Sequence, residues 1–200
     1  MTNHYNFLLA GVGGQGTILA SDVLAEVALA AGFDVKKSEV HGMAQRGGSV
    51  NTHVRWDRER VYSPLIGLGE ADVLLVFEEA EALRYAEYLK PEGVAIINQD
   101  TIKPITVTSG GAHYPSEDEV ASTLTSMTDH VCLLPGTALA QELGNTRAAN
   151  VVLLGALSTF LDVPVDTWLE VIEGRVPPKY RELNHQAFLR GRRAVAEATQ

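Results

Sequence analysis

The chain has 200 residues, 46% hydrophobic and only 20% charged, which is enough apolar material for a substantial core and too much for a disordered chain. A formal net charge of −9 argues against a polyanionic partner such as nucleic acid. Cys132 is the only cysteine, so no internal disulfide or cysteine-ligated metal cluster can form. The longest nearly apolar run, residues 151–161, is about half the roughly 20 residues that a membrane-spanning helix needs.

Asn3, His4 and Asn6 precede a short apolar run without the basic region of a signal peptide, so a cytoplasmic protein is expected. That run, residues 6–10 (NFLLA), stops at Gly11-Val12-Gly13-Gly14-Gln15-Gly16, which predicts a buried parallel strand entering a tight turn. Residues 17–31 carry Ile18, Val23, Leu24, Val27 and Ala28 near helical spacing, and Gly32 is a natural stop. Residues 34–40 offer a second strand, completing a βαβ unit. The glycine-rich segment 41–49 (HGMAQRGGS) has neither strand nor helix period and reads as a functional loop. From Val50 the pattern alternates, residues 57–59 turn the chain, and Val61 brings it back as a hairpin.

Residues 71–77 (ADVLLVF) predict an apolar strand, 78–89 a helix with a charged face, and 93–98 (GVAIIN) a strand behind a Pro91/Gly93 turn. Residues 106–108 and 131–134 supply two more strands, separated by a helix over 117–126. The rest is helical. Gln141 and residues 148–161 belong to helices split near Gly144-Asn145, and 166–173 forms a helix capped by Asp166. Pro177-Pro178 breaks the chain before a last helix, 180–198, whose basic face carries Arg190, Arg192 and Arg193. Strand alternating with helix predicts an α/β fold: a single-domain, doubly wound, mostly parallel twisted sheet with a β-hairpin excursion and a helical C-terminal region. One domain is expected over residues 1–200, with the helices from about 136 packing on it.

Gly11, Gly13 and Gly16 satisfy G-x-G-x-x-G between a strand and a helix, where glycine lets the backbone approach a phosphate and the helix N-terminus offers free amides. Glu39 ends the second strand where a ribose-binding acid would stand, which favours an NAD-like ligand, but Lys36 and Lys37 precede it and Gln15 puts a bulky amide beside the turn. Close packing of helix on sheet would explain the glycines equally well. In the second loop Gly47 and Gly48 permit a tight turn that displays Arg46, beside Gln45 and Ser49, to a carboxylate or phosphate. His41 could move a proton or serve only as a hydrogen-bonded structural residue, and Asn51 is a secondary polar candidate. His4, His113, His130 and His185 lack metal-ligand spacing, and His53 alternates within a strand, at the surface or satisfied by a neighbour. Ser49 and Cys132 lack a nucleophile signature, and Glu78, Glu79 and Glu81 read as a solvated helix N-terminus. No complete catalytic set is visible.

The turn GVGGQG at 11–16, followed by SEVHGMAQRGGSV at 38–50, resembles the gamma domain of 2-oxoacid:ferredoxin oxidoreductases, and more narrowly the beta subunits of indolepyruvate ferredoxin oxidoreductases. The similarity continues through EADVLLVFEEAEALR at 70–84 and GVAIIN at 93–98, so it covers most of the chain. It implies a gamma-type domain, inactive alone, that packs against a large (alpha) subunit. That partner would carry thiamine diphosphate, Mg²⁺ and 4Fe–4S clusters, deliver electrons to ferredoxin and release the acyl group on coenzyme A. This chain would hold none of these groups itself; coenzyme A would be a co-substrate at the interface, near Gly11, Gly13, Gly14, Gln15, Gly16, Gln45, Arg46, Gly47, Gly48 and Ser49. The isolated chain could pair with a second copy. Two other readings stay open: an NAD-dependent oxidoreductase using Glu39, and a non-catalytic assembly module.

Overall fold

A computed structural model of the protein describes residues 3–41 and 48–198. In chain order the elements are β1 (His4–Val12), α1 (Thr17–Ala30), β2 (Asp34–His41), β3 (Ser49–Asp57), β4 (Ala71–Val76), α2 (Glu79–Tyr85), β5 (Leu89–Asn98), α3 (Ile105–Thr108), α4 (Glu117–Thr125), β6 (His130–Leu134), α5 (Gly136–Glu142), α6 (Ala149–Leu157), α7 (Val165–Arg175) and α8 (Arg181–Ala198). One six-stranded sheet runs in the order β2-β3-β1-β4-β5-β6. β1, β4, β5 and β6 pair in parallel, and β3 lies antiparallel to both β1 and β2.

The apolar run of β1 follows from its central place, because a strand with helices on both faces must be apolar on both. Phe7 and Leu9 enter a core shared with α1, α5, α6, α7 and α8, while Leu8 and Ala10 enter the opposite core with α2 and α4. Every residue of α6 from Asn150 to Leu157 is buried, so this helix is enclosed rather than amphipathic. Among the described residues no helix is long and apolar enough to cross a membrane.

Several expectations from the sequence are corrected. β1, α1 and β2 do not form a compact βαβ unit, because β3 is inserted between the two strands. The turn at residues 57–59 forms, with Asp57 Oδ1 accepting from Glu59 N at 2.8 Å, but no strand returns at Val61. Both edges of β3 are already taken by β1 and β2, so Val61 N instead donates to Asp34 Oδ2 at 2.7 Å. The hairpin is β2 with β3, closed across the segment 42–47. Residues 106–108 are helical rather than extended, since Pro104 starts the turn and its carbonyl accepts from Val107 N at 3.0 Å and Thr108 N at 3.1 Å.

The helix expected over 78–89 ends at Tyr85, passes through a 3₁₀ turn (Ala86–Tyr88), and Leu89 already pairs with Ala71. Pro91 and Gly93 therefore lie within β5, where the register shifts between Ala71 and Val73; a Cβ on Gly93 would sit 2.9 Å from the Ala71 carbonyl. Asp166 lies in the first turn of α7, and Pro164 holds the cap position. Two of the C-terminal arginines are engaged within the chain, Arg190 with Glu197 at 3.1 Å and Arg192 with Ser158 Oγ at 2.7 Å.

Candidate functional site

The connection after β1 crosses to β2 on one side of the sheet, whereas the later strands β4, β5 and β6 extend on the other side. The carboxyl ends of β1 and β4 thus flank a topological switch point, where open α/β sheets bind ligands. The glycine turn occupies this place. Gly14 and Gly16 take positive φ (112° and 82°), and a Cβ on Gly11 would lie 2.8 Å from Thr17 Oγ1 and 2.9 Å from Phe77 Cβ.

Gln15 bridges the switch point. Its Oε1 accepts from Val12 N at 2.8 Å, and its Nε2 donates to the Phe77 carbonyl at 2.8 Å and to Asp100 Oδ2 at 3.3 Å. The side chain that looked obstructive beside a nucleotide is a brace joining the turn to the ends of β4 and β5. Asn98 continues the brace by donating to Phe77 O and Thr137 Oγ1, each at 3.1 Å, and Thr137 Oγ1 donates to Asp100 Oδ2 at 3.2 Å. Beside this network a cleft of ≈ 500 Å³ opens between the turn and the start of α6, where Arg147 and Asn150 join the lining.

The second loop meets the first through Gly13 N, which donates to Gly48 O at 2.9 Å. Just beyond it, Ser49 and Asn51 face α2. Ser49 Oγ donates to Glu81 and lies 3.0 Å from Tyr85 Oη, and Asn51 Nδ2 donates to the same phenol at 2.9 Å. Ser49 and Asn51 thereby anchor the start of β3 through their side chains. Gln45, Arg46 and Gly47 lie outside the described residues, as does the side chain of His41.

Glu78, Glu79 and Glu81 are not a solvated helix start; all three are buried. Glu78 caps α2 by accepting from Glu81 N at 3.2 Å, and it also accepts from Ile102 N at 3.1 Å and from the Tyr114 phenol. Burial, with the Glu78 carboxylate beside it, pushes the Tyr114 phenol up. Burial, aided by repulsion from Glu117, pushes the Glu79 carboxyl above the usual carboxylate range. These acids cap α2 and bond Ser49, Ile102 and Tyr114, so their burial is tied to structure. Burial likewise raises the Cys132 thiol, which leaves it a poor nucleophile.

Glu39 pairs with Thr52 of β3 and bonds Lys37 Nζ at 2.6 Å, so the inserted strand separates it from the glycine turn. His53 is buried and satisfied by a neighbour, its Nδ1 accepting from Ile66 N at 3.2 Å. The sequence reading passed over Asn98, Asp100, Thr137, Arg147 and Asn150. Two signals point to part of this set: Asn98 and Asp100 at the carboxyl end of a parallel strand, and Asn150 as a lone polar residue in an apolar helix. Arg147 carries no such mark.

A protein-family model described as pyruvate ferredoxin/flavodoxin oxidoreductase matches residues 6–194. The chain is 42% identical over 196 residues to indolepyruvate oxidoreductase subunit IorB of Thermococcus kodakarensis, covering 96% of each chain. It is 40% identical over 188 residues to the subunit of the same name from Archaeoglobus fulgidus, covering 93% of this chain and 92% of that one. In fold it resembles the crystal structure of a keto/oxoacid ferredoxin oxidoreductase gamma subunit from Geobacter sulfurreducens, with a TM-score of 0.71 at 24% identity, over 96% of this chain and 99% of that chain. With the mixed sheet and the braced glycine turn in place, the match along nearly the whole length places the chain in the pyruvate ferredoxin/flavodoxin oxidoreductase family.

Proposed function

We propose that the chain is the beta (gamma-type) subunit of a thiamine diphosphate-dependent indolepyruvate (aryl 2-oxoacid):ferredoxin oxidoreductase, working with a large alpha subunit in the cytoplasm. The observation that carries this reading is the 42% identity over 196 residues, nearly end to end in both chains, to a subunit named for that activity. One cysteine cannot ligate a 4Fe–4S cluster, so the clusters are assigned to the large subunit. That subunit is taken to hold thiamine diphosphate and Mg²⁺ as well, and to supply decarboxylation and electron transfer to ferredoxin. This chain is inactive alone and helps to shape the site at which the acyl group leaves on coenzyme A.

Within that division, the turn from Gly11 to Gly16 and the Gln45-Arg46-Gly47-Gly48 loop face the large subunit. They supply donors to an anionic group, a coenzyme A phosphate or the substrate carboxylate. The Gly13–Gly48 hydrogen bond supports their acting together, because it ties the two glycine motifs at one end of the sheet. Gln15 and Ser49 contribute by holding these backbones in place, Gln15 through its bond to Phe77 and Ser49 through its bond to Glu81. His41 and Asn51 are secondary polar groups near the same end.

Arg46→Ala in the reconstituted complex is expected to reduce acyl-coenzyme A formation about tenfold or more, as loss of one charge-assisted contact would, with assembly unchanged. Unaltered kinetics in an intact complex would overturn the ligand role and leave an assembly module.

A further inference from the structure

Where α1, the start of α6 and the turn leading into α8 meet, they enclose a surface groove of ≈ 150 Å³. Leu19, Val176, Pro177, Tyr180 and Leu183 form its apolar walls, and no acidic residue lines it. Leu19 and Tyr180 are each 38% exposed, so the apolar surface reaches the rim. The outer lip is fixed before any partner arrives. Pro177 and Pro178 restrict the backbone, Tyr180 N donates to the Pro177 carbonyl at 2.8 Å, and Asn184 Nδ2 donates to the Tyr180 carbonyl at 2.8 Å. A rigid groove loses little freedom when it is filled.

The rim is positive. Arg147, Lys179 and Arg181 are exposed, and none of them forms an ion pair among the described residues; Lys179 Nζ lies 4.7 Å from the centre of the Tyr180 ring. Arg175 is committed elsewhere, to Asp22 and Glu26, and Glu182 is turned to Gln186, its Oε1 accepting at 2.7 Å. Three uncommitted cations around an apolar groove run against a chain in which 25 acids outnumber 16 lysines and arginines. A long polyanion would meet the repulsive field of the whole molecule, whereas a short acidic segment meets only the local one, because charges beyond about 8 Å are screened at physiological salt. A cavity of about this volume accommodates one benzene ring, so the groove takes a single side chain as its anchor.

We propose that this groove docks a segment of the large subunit in which one aromatic or branched aliphatic side chain is flanked by Asp or Glu. The side chain enters between Leu19 and Tyr180, and its acidic neighbours face Arg147, Lys179 and Arg181. Leu19, Arg147 and Asn150 line both this groove and the cleft beside the glycine turn, so the groove continues the face assigned to that subunit. The inference rests on the preceding reading in taking a large subunit as the partner; it does not use the Arg46 loop or a bound anion.

The test measures the dissociation constant between the full chain and the large subunit at low and high salt. The double variant Lys179→Glu, Arg181→Glu is expected to weaken association about tenfold or more at low salt and to flatten its salt dependence. Tyr180→Ser should weaken it about tenfold at both salt concentrations, as loss of an apolar anchor contact would. Arg193→Glu, exposed on α8 about 18 Å along the helix from Arg181, is the control and should leave association unchanged. All four substituted residues are exposed, so the variants keep the fold, and the charge and apolar arms are independent of each other. Unaltered association of both groove variants would overturn the proposal and leave the functional reading standing. Equal weakening by Arg193→Glu would reduce the effect to net charge and overturn it as well. So would impaired ferredoxin reduction in a fully assembled complex, or loss of self-association alone, which would give the groove to the electron acceptor or to a second copy. A wild-type chain that does not bind the large subunit at all would overturn both the proposal and the functional reading.

Discussion

His53 stands in the middle of β3 with its ring edge-on to Tyr88 at 5.7 Å between centroids and its Nδ1 accepting from Ile66 N. Burial lowers its pKa, so the fold holds the neutral ring. The folded value lies below the unfolded value of about 6.5. The stability that depends on neutral His53 is therefore present above about pH 6.5 and is lost as pH falls from there through the lower folded value. The thermal midpoint should fall between pH 7 and pH 5.5. His53→Asn, whose Oδ1 can take the same bond from Ile66 N, should show a shallower decline; superimposable pH profiles for the two proteins would refute this account. Nothing in the alternation of residues 50–55 distinguishes this buried acceptor from a surface histidine, because its partners Ile66 and Tyr88 lie farther along the chain. The same holds for the three glutamates at the start of α2, which follow the composition of a solvated helix N-terminus and are buried by β3, α4 and Tyr114.

Glycines decide how the helices on one face pack. α6 and α8 approach so closely that a Cβ on Gly155 would lie 2.0 Å from the Phe188 carbonyl oxygen, and one on Gly191 1.8 Å from that of Val152. In both cases the obstacle is backbone, which cannot swing aside. Gly191→Ala should therefore cost about 3 kcal/mol despite the better helix propensity of alanine. Gly174, in α7, has nothing within 4 Å of its Cβ position, so Gly174→Ala should stabilise by about 0.5–1 kcal/mol. Urea denaturation of the two variants measures both effects, and equal midpoints would rule out the packing argument. The parallel strands and their helices were legible as elements because their apolar runs are bounded by glycine and proline. The place of β3 was not. Its alternation is the same whether it pairs with a later strand or slides between β1 and β2, and the choice rests on which neighbours offer free edges.

The two apolar cores lie on opposite faces of one sheet and share its central strands, so neither half can open without exposing the other. Unfolding should be a single cooperative transition. Tryptophan fluorescence reports Trp56 in β3 and Trp168 in α7 on one face, and it should coincide with the loss of far-ultraviolet helical signal from both faces. Separate transitions would mean that α4 and its face form an independent unit.

The sequence by itself determined the class of fold, the strand-turn-helix at Gly11 to Gly16, and the likeness to the oxidoreductase family. These depend on local spacing and on which residues tolerate a tight turn, information that neighbouring positions carry. Only the tertiary structure decided what Gln15 does, where Glu39 stands and which residues complete the cleft. Gln15 meets Phe77 and Asp100, and Gly16 meets Asn150, across separations along the chain that no local pattern records. The net charge of −9 and the single cysteine remain the limits they set at the outset. Within them, the strand order brings the glycine turn, Arg147 and Asn150 to one end of the sheet, because parallel strands deliver their carboxyl ends to the same edge.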